Sequence, residues 1–214
     1  MLDDWAALAY HSFGIYINFL TSVLMAKQVG RQQLLDRATE LFRSKGYSAT
    51  SVDEIVKACG ITKGSLYYHF DSKEDLALAA MDQVHAYFNE HIFRLIIDAE
   101  RPGQKELKAF NRAVEKFFLS HPDGCLLANL SLEIGPANAL FLQRIRRFFD
   151  DWRACYVATF AHGAPPSRAA MLAEDALASV HGCILMHRID GNMAPLRRQH
   201  RKLVDLLSQE RAPM

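Results

Sequence analysis

The stretch from Val52 to Phe70, VDEIVKACGITKGSLYYHF, decides the fold. Val52, Ile55 and Val56 recur at helical spacing, Gly60 interrupts them, and Leu66 and Phe70 resume the pattern. This reads as two short helices joined by the sharp turn Ala58-Cys59-Gly60-Ile61, the geometry of a helix-turn-helix whose second helix reads DNA. Thr50 or Ser51 caps the first helix, with Glu54 three residues after Ser51 as its capping-box partner, and Thr62 caps the second. The second helix has chemistry suited to that task. Lys63 and His69 can meet phosphates, Gly64 permits close backbone approach, and Ser65, Tyr67 and Tyr68 offer hydroxyls and ring faces. Thr50 and Ser51 bring hydroxyls and free amides to a helix N-terminus, and Lys73 stands where it can clamp a neighbouring phosphate. For Tyr67 a core position competes, because it is spaced like Leu66 and Phe70.

Outward from this stretch the periodicity stays helical. Upstream, Leu34, Leu35, Ala38, Leu41 and Phe42 form one buried stripe, closed by Gly46 in the position a helix-ending glycine prefers. Downstream, Asp71 or Ser72 caps a long helix that runs to Pro102-Gly103. Further helices are predicted over about 105–119, from Gly124 to near Gly135-Pro136, over 137–161, from a Ser167 cap to Asp190, and onward from Pro195. That makes nine or ten helices and no run of alternating β-branched residues, so the fold class is all-α. A helix-turn-helix domain is expected over 25–75 and a helical ligand-binding and dimerisation domain over 76–214.

Bulk composition sets outer limits. The 214 residues are half hydrophobic, with a formal net charge of +1, which fits a globular protein with a real core. From Ala26 to Asp75 eight Lys or Arg face seven Asp or Glu, so non-specific affinity for a polyanion should be modest, with a shallow salt slope. Cys59, Cys125, Cys155 and Cys183 lie far apart, with neither zinc-site nor disulfide-scaffold spacing, and the nine histidines show no metal spacing. No cofactor or metal is expected. Without a nucleophile elbow, a phosphate-cradling glycine loop or paired carboxylates, an enzyme is not expected either. Residues 1–24 stand apart: Trp5 to Leu24 carries no Asp, Glu, Lys or Arg. The reading adopted is an upstream extension with translation starting at Met25, the alternatives being a docked helix and a membrane anchor.

The segment from Leu34 to Met81 closely resembles the DNA-binding domain of the TetR family. The likeness rests on the Phe-x-x-x-Gly-Tyr-x-x-Thr run ending at Thr50, on Ile55 and Gly60, and on the Gly64-Ser65-Leu66-Tyr67 block. The His69-Phe70 pair and the Lys73-Glu74-Leu76 segment match as well. The resemblance implies that Thr50, Lys63, Gly64, Ser65, Tyr67, Tyr68, His69 and Lys73 face DNA, with Phe42, Ile55, Leu66 and Phe70 as the small core beneath. It further implies a cytoplasmic homodimeric regulator that binds double-stranded operator DNA and responds to a small-molecule effector.

For the second half, two apolar stripes are expected at a four-helix dimer interface, with intramolecular core as the alternative. One holds Phe141, Ile145, Phe148, Trp152, Tyr156 and Phe160; the other Leu172, Ala176, Leu177, Val180, Ile184 and Met186. An effector pocket is expected among the helices bearing Phe88, His91, Phe110, Phe117, Leu126, Asn129, Trp152 and Tyr156. Cys125 is read as lying in the first turn of its helix, after an Asp123 cap, where the dipole would lower its pKa. The pieces around it resemble a branch of the family that senses electrophiles and acrylate-like compounds, although Arg188 stands where that branch carries a lysine. The competing reading is a small buried hydrophobe.

Overall fold

The computed structural model describes residues 30–134 and 138–210. The expectations for residues 1–24, for Met25 and for the Gly135-Pro136 breaker lie outside the described residues. Among the described residues the chain is helical throughout. The head comprises α1 (Arg31–Lys45), α2 (Val52–Cys59) and α3 (Lys63–His69). From it α4 (Lys73–Phe88) leads through a π-helical turn (Asn89–Phe93) into α5 (Arg94–Ile97). The second unit adds α6 (Gln104–Ser120), α7 (Leu126–Ile134), α8 (Ala139–Phe160), α9 (Pro166–Asp190) and α10 (Ala194–Glu210).

Local chemistry sets the helix boundaries. Ser51, Thr62 and Ser72 each accept a hydrogen bond from a backbone N–H three residues on, at 3.1, 3.2 and 3.0 Å. Ser51 therefore caps α2 and Ser72 caps α4, which resolves both open pairs. The capping box is only half made, because Glu54 turns its carboxylate to Lys45. Pro165, not Ser167, precedes α9, and Asn192 receives the Ala194 N–H at the start of α10.

In the head, Phe42, Ile55, Leu66 and Phe70 are at most 1% exposed and close a miniature core. In the second unit Phe88 lies among Phe117, Phe148, Trp152 and Phe93 at centroid distances of 4.7, 5.1, 5.3 and 5.5 Å. The whole stripe from Phe141 to Phe160 is buried inside the subunit, as are Leu172, Ala176, Val180 and Ile184. This corrects the expectation that these stripes meet a second subunit, except at Leu177, which is half-buried, and Met186, which is exposed. The physical reason is that the α8 rings pack against Phe88, Phe93 and Phe110 of the same chain, which leaves them no face for a second subunit. A different face of α9 stays exposed, with Met171, Leu185, Met186 and Ile189 between 46% and 68% accessible.

The head is fastened to the second unit at the C-terminal end of α1. The Asn129 amide donates to the Arg43 carbonyl at 3.0 Å, and Glu133 accepts the Ser48 N–H at 3.0 Å. The Tyr47 ring packs edge-on against Phe141 at 5.3 Å. Gly46 makes this approach possible: its φ is +90°, and a Cβ there would overlap the Glu133 carboxylate. Farther along, Asp82 holds Arg144 at 3.1 Å and His85 meets Asp151 at 2.7 Å, so α4 is tied to α8.

Two predictions follow from this packing. Gly46→Ala should destabilise the protein by about 2–3 kcal/mol in chemical denaturation, against about 1 kcal/mol for Gly60→Ala, whose φ is +66° but whose Cβ would meet open space. The second concerns pH. Burial pushes His181 down to about 4 from its ordinary 6.5, and burial together with Arg43 lowers His121. Between about 6.5 and 4 the unfolded chain takes up protons that the folded chain refuses, so this stability is complete above that window and lost as pH falls through it. Thermal melts at pH 7 and 5 should show the decline, and His181→Phe should flatten it in part.

Candidate functional site

The outer face of α3 carries a set of residues that the fold does not use. Leu66 faces inward with no exposure, and Ile61 and Phe70 flank it. Tyr68 is 84% exposed and Tyr67 is 49% exposed, so Tyr67 does not belong to the core. The His69 ring stands edge-on to Tyr68 at 5.1 Å. Lys63 pairs with Asp53 at 2.8 Å across the turn, fully in solvent, and Ser65 gives its backbone N–H to Thr62. At Gly64 a Cβ would touch nothing closer than the Thr62 hydroxyl at 3.8 Å. Among the described residues no contact requires a glycine there, and none covers the Tyr68 ring or more than about half of Tyr67.

Two residues expected on that surface turn inward. Thr50 has no exposure; its hydroxyl donates to the Gly46 carbonyl at 2.6 Å and its N–H to Tyr47. Its side chain is therefore closed to a phosphate. Lys73 directs its ammonium into the loop between α1 and α2, donating to the carbonyls of Tyr47 and Thr50 at 3.0 and 3.1 Å. It also lies 4.1 Å from the centroid of the Tyr47 ring. Two loop carbonyls with no helical partner supply the physical reason: a nearby ammonium satisfies both. Ser51 stays exposed, its hydroxyl held by the Glu54 N–H.

The residues expected to line an effector pocket divide differently. Phe88, Trp152 and Tyr156 are fully buried and packed ring against ring, and Phe117 lies against them. They form a filled core, because six or more aromatic rings interdigitate at close-packed distances. His91 is exposed and rests on Tyr87 at 4.6 Å. Asn129 faces both the head and a cavity of about 280 Å³ bounded by α7, α9 and the preceding turn. Cys125, Ala128, Leu132, His181, Ile184 and Arg188 also line that cavity. Sequence reasoning reached Asn129 and Cys125 but missed His181 and Arg188 as cavity residues, and missed Glu133 as a contact of the head. Their partners lie tens of residues away, so no local spacing announces them.

Cys125 departs from expectation. It precedes α7, its carbonyl accepting the Asn129 N–H, and Asp123 does not cap the helix. Burial pushes the thiol up, more strongly than the amides of Ala128 and Leu127 and the charge of Arg43 pull it down. Desolvation outweighs the helix dipole here, and the thiol is protonated at neutral pH.

Comparison with known proteins accords with this architecture. Residues 34–80 match the family described as bacterial regulatory proteins of the tetR family, and residues 106–202 match the C-terminal domain of LmrA/YxaF-like transcriptional regulators. An HTH-type regulator of Mycobacterium tuberculosis is 31% identical over 84% of this chain and 95% of its own. The HTH-type transcriptional repressor DhaR of Mycobacterium sp. strain GP1 is 29% identical over 80% of this chain and 89% of its own. Among solved structures, the regulatory protein TetR from Rhodobacter sphaeroides superposes with a TM-score of 0.70 at 27% identity, covering 81% of this chain and 96% of that one. With a helix-turn-helix head, an all-helical second unit and matches spanning both, the chain belongs to the TetR family of DNA-binding transcriptional regulators.

Proposed function

We propose that the protein acts in the cytoplasm as a homodimeric repressor of a pseudo-palindromic operator and is released from it by a small-molecule effector. The observation that carries the DNA reading is the outer face of α3. Lys63, Tyr67 and Tyr68 stand exposed, with Ser65 and His69 half-buried beside them, around a glycine that no contact among the described residues requires. A phosphate backbone that must pass close to Gly64 supplies that requirement, with the Ser51 and Thr62 helix starts beside it. Thr50 and Lys73 serve by shaping the loop that presents α2, and only the remaining Lys73 N–H is left to reach a phosphate.

A single head reads one half-site, so a second copy is needed for an operator of ordinary length. The exposed face of α9 supports that reading. Ala178, Gly182, Leu185 and Ile189 recur at three- and four-residue steps, with Met171 two turns before them, the small residues letting helices approach closely. Among the described residues α9 is also the one helix with the length and hydropathy of a membrane span. Its exposed side nevertheless includes Glu174 and Asp175, which suits a protein interface better than lipid. Effector release would follow from tilting α4, which links the head to α8, provided that the effector favours the non-binding state.

Fluorescence anisotropy with DNA flanking the gene, at two salt concentrations and against scrambled DNA, tests the reading. Saturable, dimer-stoichiometric preference supports it, and absence of any preference over genome-selected fragments overturns it. Tyr68→Ala should weaken specific binding about tenfold or more without moving the melting temperature. Lys73→Met should do the reverse in the first instance, lowering stability by about 1–3 kcal/mol because the Thr50 carbonyl loses its partner and the Tyr47 carbonyl is left with the Thr50 N–H alone. Met186→Glu with Ile189→Glu should yield folded monomers in analytical ultracentrifugation that bind the operator poorly.

A further inference from the structure

The cavity beside Asn129 shares its polar wall with the fastening of the head. The last carbonyls of a helix have no partner within it and need one from elsewhere. In α1 the Arg43 carbonyl receives the Asn129 amide at 3.0 Å, and the Ser44 carbonyl receives the Arg188 guanidinium at 3.5 Å. Both side chains also line the cavity. The stem of Arg188 lies over Gly124, in ordinary contact at 3.4 Å with where a Cβ would stand, and the φ of +85° holds this turn to glycine. The residues that would touch a ligand are thus the residues that cap α1.

The lining also states what would bind. Ala128, Leu132, Ile184 and Leu185 make it mostly apolar, and no carboxylate lines it. Arg188 is its one charged group. Behind the Cys125 wall, Arg43 is 4% exposed, stacked 5.2 Å from the Phe117 centroid, with Nε and Nη1 lacking a hydrogen-bond partner among the described residues. Its nearest counter-charges, Asp123 and Glu40, act only through space. His181 contributes an acceptor: its Nδ1 faces the Leu177 carbonyl at 3.1 Å and so carries the proton, leaving Nε2, buried and unpartnered, as a lone pair. At about 280 Å³ the space is below the roughly 300–1,000 Å³ of drug-sized sites.

We propose that this cavity binds a small apolar monocarboxylate, and that its carboxylate draws Arg188 and Asn129 away from the Ser44 and Arg43 carbonyls, uncapping α1 and loosening the head. The ligand class and the latch rest on the repressor reading for their purpose but not for their detection. Gly182 and Leu185 belong both to the cavity wall and to the exposed strip of α9, so a second copy seated there closes the open side.

The test uses the full chain with straight-chain carboxylates from butanoate to octanoate, and the matching amides as neutral isosteres. Binding is read by the fluorescence of Trp152, whose ring lies 4.7 Å from His181, and the latch by hydrogen exchange of the peptide spanning residues 43–50. One or more acids should bind at least about tenfold more tightly than their amides, since a charge-assisted bond is lost in the amide. Arg188→Gln should abolish that preference, and bound acid should speed exchange at 43–50. In Asn129→Ala the segment should exchange fast already and gain little from ligand. Three results would each overturn the proposal: no saturable binding by any acid of the series, equal binding by Arg188→Gln, or bound acid with unchanged exchange at 43–50. Operator affinity measured on the same samples separates the two readings. Faster exchange with unaltered operator affinity leaves cavity and latch standing and removes effector release.

Discussion

A helix of seven residues has no stability of its own in water, because nucleation costs more than so few bonds return. The rest of the head exists to hold α3 in shape and in place. Leu66 is its one fully buried side chain, set between Ile55 and Phe70, and Thr62 and Ser72 fix the chain before it and after it. With so little of α3 engaged inward, its other residues are free to face outward. The same shortness makes the head dependent on its neighbours: α1 is anchored by α4 along one side and by α7 at its end, and any movement of those helices is transmitted to α3 as a rigid displacement.

Much of this was legible in the sequence, and what was legible was local. Cap residues, breaker glycines and the 3.6-residue apolar period act over three to five positions, so Thr62, Gly46 and Gly60 could be placed from their neighbours alone, and the other two caps narrowed to Thr50 or Ser51 and Asp71 or Ser72. The extended pattern around Gly64 and Tyr67 fixed the type of domain because it combines many such local requirements in one order. The misreadings share the opposite cause. Thr50 and Lys73 look like phosphate ligands until the loop folds back and offers them carbonyls at 2.6 to 3.1 Å. An apolar stripe does not say whether it packs against its own chain or another, and the stripe of α8 proved to be internal. For Cys125, position relative to a helix N-terminus was visible in the sequence while depth of burial was not, and depth decided the direction.

The junction between the head and the second unit places polar groups where they are costly. Arg43 is buried against an aromatic ring with two nitrogens unpaired, and His181 is kept neutral with a bare ring nitrogen. Both lie around the junction of α1, α7 and α9. A protein selected only for a stable core would fill such positions with Leu or Met at no loss. For Arg43 an entering acceptor would supply the missing partner, whereas the bare His181 nitrogen, itself an acceptor, calls for a donor.

Magnitudes decide whether so small a latch can matter. A neutral side chain to carbonyl bond contributes about 0.5–1.5 kcal/mol net, and the Arg188 contact, at 3.5 Å, belongs at the weak end of that range. Releasing both in one subunit changes the stability of the docked head by about 1–2 kcal/mol, and a symmetric dimer doubles this to about 2–4 kcal/mol. Coupling between effector and operator in regulators of this size is typically about 1–3 kcal/mol, or about 5- to 150-fold in affinity. The two ranges overlap at about 2–3 kcal/mol. A ligand in this cavity therefore need not remodel the core of the second unit, whose interlocked aromatic rings would resist it. On the proposed reading, loss of two caps at the end of α1 in each of two subunits would shift the operator equilibrium by an amount of the order that regulation requires.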